Sequence, residues 1–211
     1  MEVIARMLTG EMEMSEFISE LRTNRQVQEY IRNIVPQEAK GNPDHHFWNK
    51  MSYNTLMKLD FDYLRFLYWI GRFDESIGDN LNISSILSRA YCYHHPEIIC
   101  TNRYQNAYSL YLDIIKDCFD GPEVRHVTNN IIRRALVLKT KKQQVQQAKM
   151  EVEQVFHITD KKRPRWIQGP EWPMGAKSPM KFVSQKRIGE CVEYLFTDVD
   201  AVNSRVVKQF Y

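Results

Sequence analysis

At 211 residues, with 43% hydrophobic, 26% charged and 12% aromatic residues, the chain can bury one sizeable core, or a core with a small appendage, and is too apolar for disorder over most of its length. No run reaches the roughly 20 apolar residues of a membrane helix, so no membrane partner is expected; the longest apolar patch, Phe61 to Phe73, holds Asp62 and Arg65. The net charge of +3 hides an asymmetry: residues 1–120 carry 12 Lys/Arg against 17 Asp/Glu, residues 121–190 carry 15 against 6, and residues 191–211 carry 2 against 3.

The N-terminus, MEVIARMLTGEMEM, is acidic and amphipathic, with neither the basic region nor the small-residue cleavage site of a secretory signal, so a cytoplasmic location is expected. Ser15 is the expected N-cap of a short helix carrying Phe17, Ile18 and Leu21 and ending near Asn24. Val27, Tyr30, Ile31 and Ile34 recur at helical spacing in the next stretch, with Pro36 as its expected stop and a loop beyond it. Aromatic residues crowd the region from His46 to Phe73, and the 60–70 portion is apolar nearly all round, which predicts a buried helix ended by Gly71. A helix over Asn82–His95 is closed by Pro96. The next places Tyr104, Ala107, Tyr108, Tyr111, Leu112 and Ile115 on one stripe, and Pro122 stands at a first-turn position of the one after. From about Pro122 to His157 the signal is helical, as one helix or as two broken near Lys139–Thr140; Val145, Ala148, Val152 and Val155 form a narrow seam in its second half.

Beyond the segment RPRWIQGPEWPMG (Arg163 to Gly175), the hydrophobic period changes from 3.6 to 2. Three strands are expected, with Phe182, then Val192, Tyr194 and Phe196, then Val206 and Phe210 on the apolar face, and with a tight hairpin at Ile188–Gly189. The expected fold is therefore α+β: a helical body over 1–160, a Pro/Trp connecting segment over 161–179, and a C-terminal three-stranded antiparallel meander over 180–211 packed on the helices. A three-stranded sheet with one apolar face needs cover. Trp166 and Trp172, on backbone stiffened by Pro164, Pro170 and Pro173, supply it or else form a rigid docking surface with Arg163 and Arg165.

The stretches WIQGPEWPMG, SPMKFVSQKR, YLFTDVD and VVKQFY resemble the C-terminal ends of small uncharacterised cytoplasmic proteins of Gram-positive bacteria, some of them similar to immunity proteins, which bind and neutralise secreted toxins. The likeness covers about 45 residues plus a vaguer similarity in the helices. It carries no catalytic residues, and the chain departs from the pattern where AVNS follows DVD. The resemblance implies a protein partner.

Chemistry-bearing clusters are sparse. Cys92, His94, His95 and Cys100 are zinc-type ligands, but their spacing fits no common module, and buried thiols with helix-capping histidines account for them; the four cysteines as a set are expected to be reduced. Asp44, His45 and His46 lack a second acidic or histidine cluster. Phosphate-loop, dinucleotide, zinc-protease and nucleophile-elbow motifs are all missing. The chain is accordingly expected to be non-enzymatic, with no cofactor or metal, and to act on another protein. The alternative is a nucleic-acid-binding accessory protein using the basic 133–165 region: Lys139, Lys141, Lys142, Lys149, Lys161 and Lys162, with Arg163 and Arg165, on phosphates, and Trp166 stacked on a base.

Overall fold

The computed structural model describes residues 2–41, 66, 70, 71, 73–159 and 162–211. Among these the chain is α+β, with seven helices followed by one three-stranded antiparallel sheet in the order β1-β2-β3. It divides into two compact units, Met1–Gln105 and Asn106–Tyr211.

The first unit contains α1 (Glu2–Thr9), α2 (Met14–Thr23), α3 (Arg25–Gly41) and α4 (Ile77–His94). Apolar residues three and four apart put Ile4, Met7 and Leu8, then Phe17, Ile18 and Leu21, then Val27, Ile31 and Ile34, then Ile83, Leu87 and Ala90 into one core. Each fully buried Ile or Leu there contributes about 1.5–3 kcal/mol. The start of α2 differs from the sequence reading, and its end near Asn24 agrees with it. α2 begins at Met14 rather than after Ser15, because the Glu13 N–H donates to the Glu16 carboxylate (3.1 Å), which closes the first turn two residues earlier. Asn24 then serves two helices: its N–H ends α2 on the Glu20 carbonyl, and its Oδ1 accepts from the N–H groups of Gln26 and Val27 to start α3.

Pro36 does not stop α3, which continues to Gly41. A proline removes one N–H from the ladder, and a helix already established over eleven residues can absorb that loss. α4 starts at Ile77, five residues ahead of the expected stretch, because Ser76 caps it by accepting from the Asp79 N–H at 3.0 Å. Of the 60–70 stretch, Phe66 and Ile70 are described, and both are helical and buried. Gly71 is helical as well, and the helical state has ended by Phe73. The other aromatics of 47–69, and Asp44, His45 and His46, lie outside the described residues.

α5 (Arg103–Ile114) runs across the division between the units. Its buried side is Tyr104, Ala107 and Leu110, with Ile115 just beyond; Leu112, expected on the stripe, is exposed because it falls two positions from Leu110, on the far side of a 3.6-residue turn. The second unit continues with α6 (Arg125–Ala135) and α7 (Lys141–Val155), which pack against each other and are tied by Arg134 Nε to Glu151 Oε2 at 2.8 Å. Pro122 precedes α6 in a turn and is not in its first helical turn. Of the two readings, one helix or two, the chain takes the second, with the break near Lys139–Thr140: Thr140 caps α7 by accepting from the Gln143 N–H, and the Gln143 side chain returns to the Thr140 N–H. α7 ends with His157 in the left-handed region (φ 53°), the His157 N–H on the Gln154 carbonyl and the Ile158 N–H on the Glu153 carbonyl.

β1 (Lys181–Ile188), β2 (Cys191–Thr197) and β3 (Ser204–Phe210) form the meander. Ile188 pairs with Cys191, so Gly189–Glu190 is a two-residue turn, and Gly189 takes the positive φ (60°) that its first position requires. A register shift between Phe182 and Ser184 bends β1. Phe182, Val192, Tyr194 and Phe196 face inward as expected. On β3 the expectation fails by one residue: Val207 and Gln209 are buried, whereas Val206 and Phe210 are exposed. The register explains this, since Val207 pairs with Tyr194 and Gln209 with Val192, both inward residues.

Candidate docking surface at the proline–tryptophan segment

The segment from Lys162 to Met180 lies against the inward face of the sheet. Trp172 is at the centre of an aromatic cluster within the second unit. Its ring centroid is 4.9 Å from Phe156 at the end of α7, 5.5 Å from Phe119 after α5, and 5.3 Å from Phe196 on β2. Its indole N–H donates to the Met180 carbonyl at 2.8 Å. One glycine is required by this packing: Gly121 holds φ 152°, and a Cβ there would stand 3.0 Å from the Trp172 backbone nitrogen. At 1% exposure Trp172 has no surface to offer a partner, so its docking role is set aside in favour of the covering role.

Trp166 is placed differently. It is half-buried, lying 4.6 Å from the Tyr194 ring and 6.0 Å from Phe196, and its indole N–H donates to the Cys118 carbonyl at 3.0 Å. Its edge therefore reaches solvent while its orientation is fixed from behind.

An irregular segment must satisfy its own backbone polar groups, and two sheet side chains do so here. The Tyr194 hydroxyl donates to the Arg165 carbonyl (2.9 Å) and accepts from the Ile167 N–H (3.1 Å). Gln209, fully buried, accepts at Oε1 from the N–H groups of Ile167 and Gln168 (both 3.1 Å) and donates at Nε2 to the Gly169 carbonyl (2.7 Å). Further along, Glu123 accepts from the Met174 N–H (3.0 Å) and receives both Arg205 guanidinium nitrogens (2.6 and 2.7 Å). Those Arg205 bonds, followed by the Met174 N–H, hold the Glu123 carboxyl below the usual carboxylate range.

Backbone fixed in this way displays its exposed side chains in set positions. Lys162, Arg163 and Arg165 are exposed, with buried Pro164 between the two arginines. The Arg165 N–H is held by Gln185 Oε1 at 2.7 Å. The Arg163 guanidinium lies 5.2 Å over the Phe119 ring and 3.4 Å from Glu153. Arg163 also lines an open cavity of about 420 Å³, together with Asp113, Ile114, Phe119, Lys149, Val152 and Glu153.

The lysines of the alternative reading do not form one patch. Lys139, Lys141 and Lys142 are exposed at the N-terminal end of α7, while Lys149 is two turns further on, about 12 Å along the axis. Lys141 is engaged by Asp113 (3.5 Å) and Ser109 (3.4 Å), and Lys149 shares its cavity with two carboxylates. Lys161 lies outside the described residues.

Elsewhere, Cys92 and Cys100 come together but the histidines do not join them: His95 accepts or donates at Nε2 with the Tyr30 hydroxyl (2.9 Å) and lies 3.4 Å from Glu97, and His94 is exposed. Among the described residues no three His, Cys, Asp or Glu side chains are grouped for a metal ion, and no helix is long and apolar enough to cross a membrane. The sequence missed Gln209, since a glutamine one place from the end of a strand reads as a solvent-facing residue; only the register puts it inside.

Compared with known proteins, the chain matches no family model, and neither a curated protein nor a solved structure is similar to it.

Proposed function

We propose that the chain is a non-enzymatic protein–protein interaction module, whose most concrete form is an immunity-type protein that neutralises a toxin in the bacterial cytoplasm. The observation that supports the reading is the edge of Trp166, fixed from behind by Cys118 and Tyr194 and flanked by the exposed Arg163 and Arg165. Tryptophan and arginine on a rigid backbone give contact area and charge with little loss of conformational freedom on binding. The second unit carries 18 Lys/Arg against 12 Asp/Glu, so the matching partner surface is acidic around an apolar recess.

The test is affinity capture from the native host, repeated with Arg163→Glu/Arg165→Glu, followed by titration of the purified partner. Binding should fall at least tenfold in the double variant and clearly in Arg165→Glu alone, whose melting should stay within about 0.5 kcal/mol of wild type as for an ordinary surface change, since Arg163 is the one engaged with Phe119 and Glu153. Equal binding by both forms would remove the surface from consideration. The nucleic-acid alternative is tested by titrating a labelled single-stranded oligonucleotide. Phosphate binding falls steeply with salt, so tight, strongly salt-dependent binding weakened by Lys139→Gln/Lys142→Gln would favour that alternative.

A further inference from the structure

We propose that Cys92 and Cys100 are a disulfide-forming pair, oxidised by a small-molecule disulfide such as oxidised glutathione to fasten the end of α4 to the segment that follows it. Their sulfurs are 3.1 Å apart. That is about 1 Å beyond a disulfide bond of roughly 2.0 Å, so closure needs only a small displacement. Both residues are partly exposed.

The pairing is held by contacts that do not involve sulfur. Cys92 is in the last turn of α4, which ends with the His95 N–H on the Tyr91 carbonyl. The chain then turns through Pro96 and Glu97, with the Ile98 N–H on the His95 carbonyl (3.1 Å). The His95 ring stacks on Tyr91 at 4.4 Å and meets the Tyr30 hydroxyl at 2.9 Å. One residue past Cys100, the Thr101 N–H donates to the Leu8 carbonyl at the end of α1 (2.7 Å). The two thiols are therefore brought together by the fold of this unit before any covalent bond exists.

The reaction balances as two exchanges. The Cys92 thiolate attacks one sulfur of oxidised glutathione, forming a mixed disulfide and releasing one glutathione thiolate. The Cys100 sulfur then attacks Cys92 Sγ, forming the intramolecular disulfide and releasing the second glutathione; the two protein thiol protons end on the two glutathiones. Burial, and then the hydrogen bond and charge of Cys92, push the Cys100 thiol up to about 12, so the first attack falls to Cys92. The second attack is intramolecular, between sulfurs that the fold already holds side by side, and it no longer meets the hydrogen bond and charge of a free Cys92.

The test equilibrates the whole chain with reduced and oxidised glutathione, quenches in acid, alkylates in denaturant and digests with trypsin. Cleavage after Arg89 and Arg103 leaves both cysteines in one peptide, 90–103. That peptide should be lighter than its dithiol form by about 2 Da, the two hydrogens lost on oxidation, and should take no alkyl group until reduced. In Cys100→Ser, Cys92 should accumulate as the glutathione adduct. Oxidation should raise the melting temperature by roughly 5 °C or more in wild type and leave Cys100→Ser unchanged. A doubly alkylated 90–103 peptide under conditions that place glutathione on Cys191 would overturn the proposal, as would glutathione retained on Cys92 of the wild-type chain without ring closure.

Discussion

The two units bury their apolar residues in different ways. Among its described residues the first is built from helices whose buried side chains are mostly aliphatic, with Ile4, Ile18, Ile31, Ile83 and Leu87 recurring on the inward faces. The second is centred on rings, Phe119, Phe156, Trp166, Trp172, Tyr194 and Phe196, several of which also carry a polar atom with one designated partner. An aliphatic core has no direction beyond shape, so volume-conserving exchanges are well tolerated. A ring core with indole and phenol hydrogen bonds is specific in orientation as well as volume, because a misplaced ring also leaves a buried carbonyl unpaired.

Substitutions can break that comparison. Trp172→Ala should cost about 3–5 kcal/mol in chemical denaturation, against about 0.5–1.5 kcal/mol for Ile83→Val in the first unit. Trp172→Phe sharpens the point, since it keeps a ring but removes the donor to the Met180 carbonyl; a loss of about 1–3 kcal/mol is expected, and a neutral result would show that the cluster is selected for shape alone. Gln209→Ala leaves the Gln168 N–H and the Gly169 carbonyl without their partner and the Ile167 N–H with the Tyr194 hydroxyl alone, and should cost about 2–3 kcal/mol. Thr140→Ala, read by the same denaturation, should cost about 1 kcal/mol through the lost cap of α7.

The smallest effect is the acid response of Glu123. Its folded-state pKa is depressed by Arg205, so the pair stabilises the fold above the unfolded carboxylate range, and that contribution disappears as pH falls through the folded value. Both side chains are more than a third exposed, which limits the effect to about 0.2–1 kcal/mol. Glu123→Gln should melt slightly below wild type at pH 7 and converge with it in acid; an unchanged gap across that range would exclude the linkage.

What the sequence made legible follows the range of the forces involved. The change of period after Arg163, the interruption near Lys139–Thr140 and the tight turn after β1 are local signals: the first lies where the pattern puts it, the second is one of the two readings the pattern allows, and the turn falls one residue later than Ile188–Gly189, at Gly189–Glu190. Covering of the sheet by a tryptophan was also legible, because apolar area beside a three-stranded sheet has few other uses. Pro36 misled because its local penalty was overridden by the helix around it. The inward face of β3 was misread because Val206 and Val207 are equally apolar, and only pairing with Tyr194 distinguishes them. The same holds for the candidate surface: Arg163 and Arg165 were visible as charge, but the burial that separates Trp172 from Trp166 depends on Phe119 and Phe156, far away in sequence. The Cys92–Cys100 approach was hidden because helical spacing says nothing about a helix end followed by a turn.

Gln209 also sets an order of events in folding. Its bonds to Ile167, Gln168 and Gly169 span 40 to 42 residues, whereas the β2–β3 pairing that places it is a local hairpin. Short loops close before long ones, since closure entropy rises with length. The meander therefore assembles first and the proline–tryptophan segment docks onto it afterwards, making those contacts late in the transition. Gln209→Ala should then accelerate unfolding while leaving the folding rate nearly unchanged. In a native chain exposed briefly to trypsin, the variant should be cut first at Lys162 or Arg165, where the last piece to arrive is the first to leave.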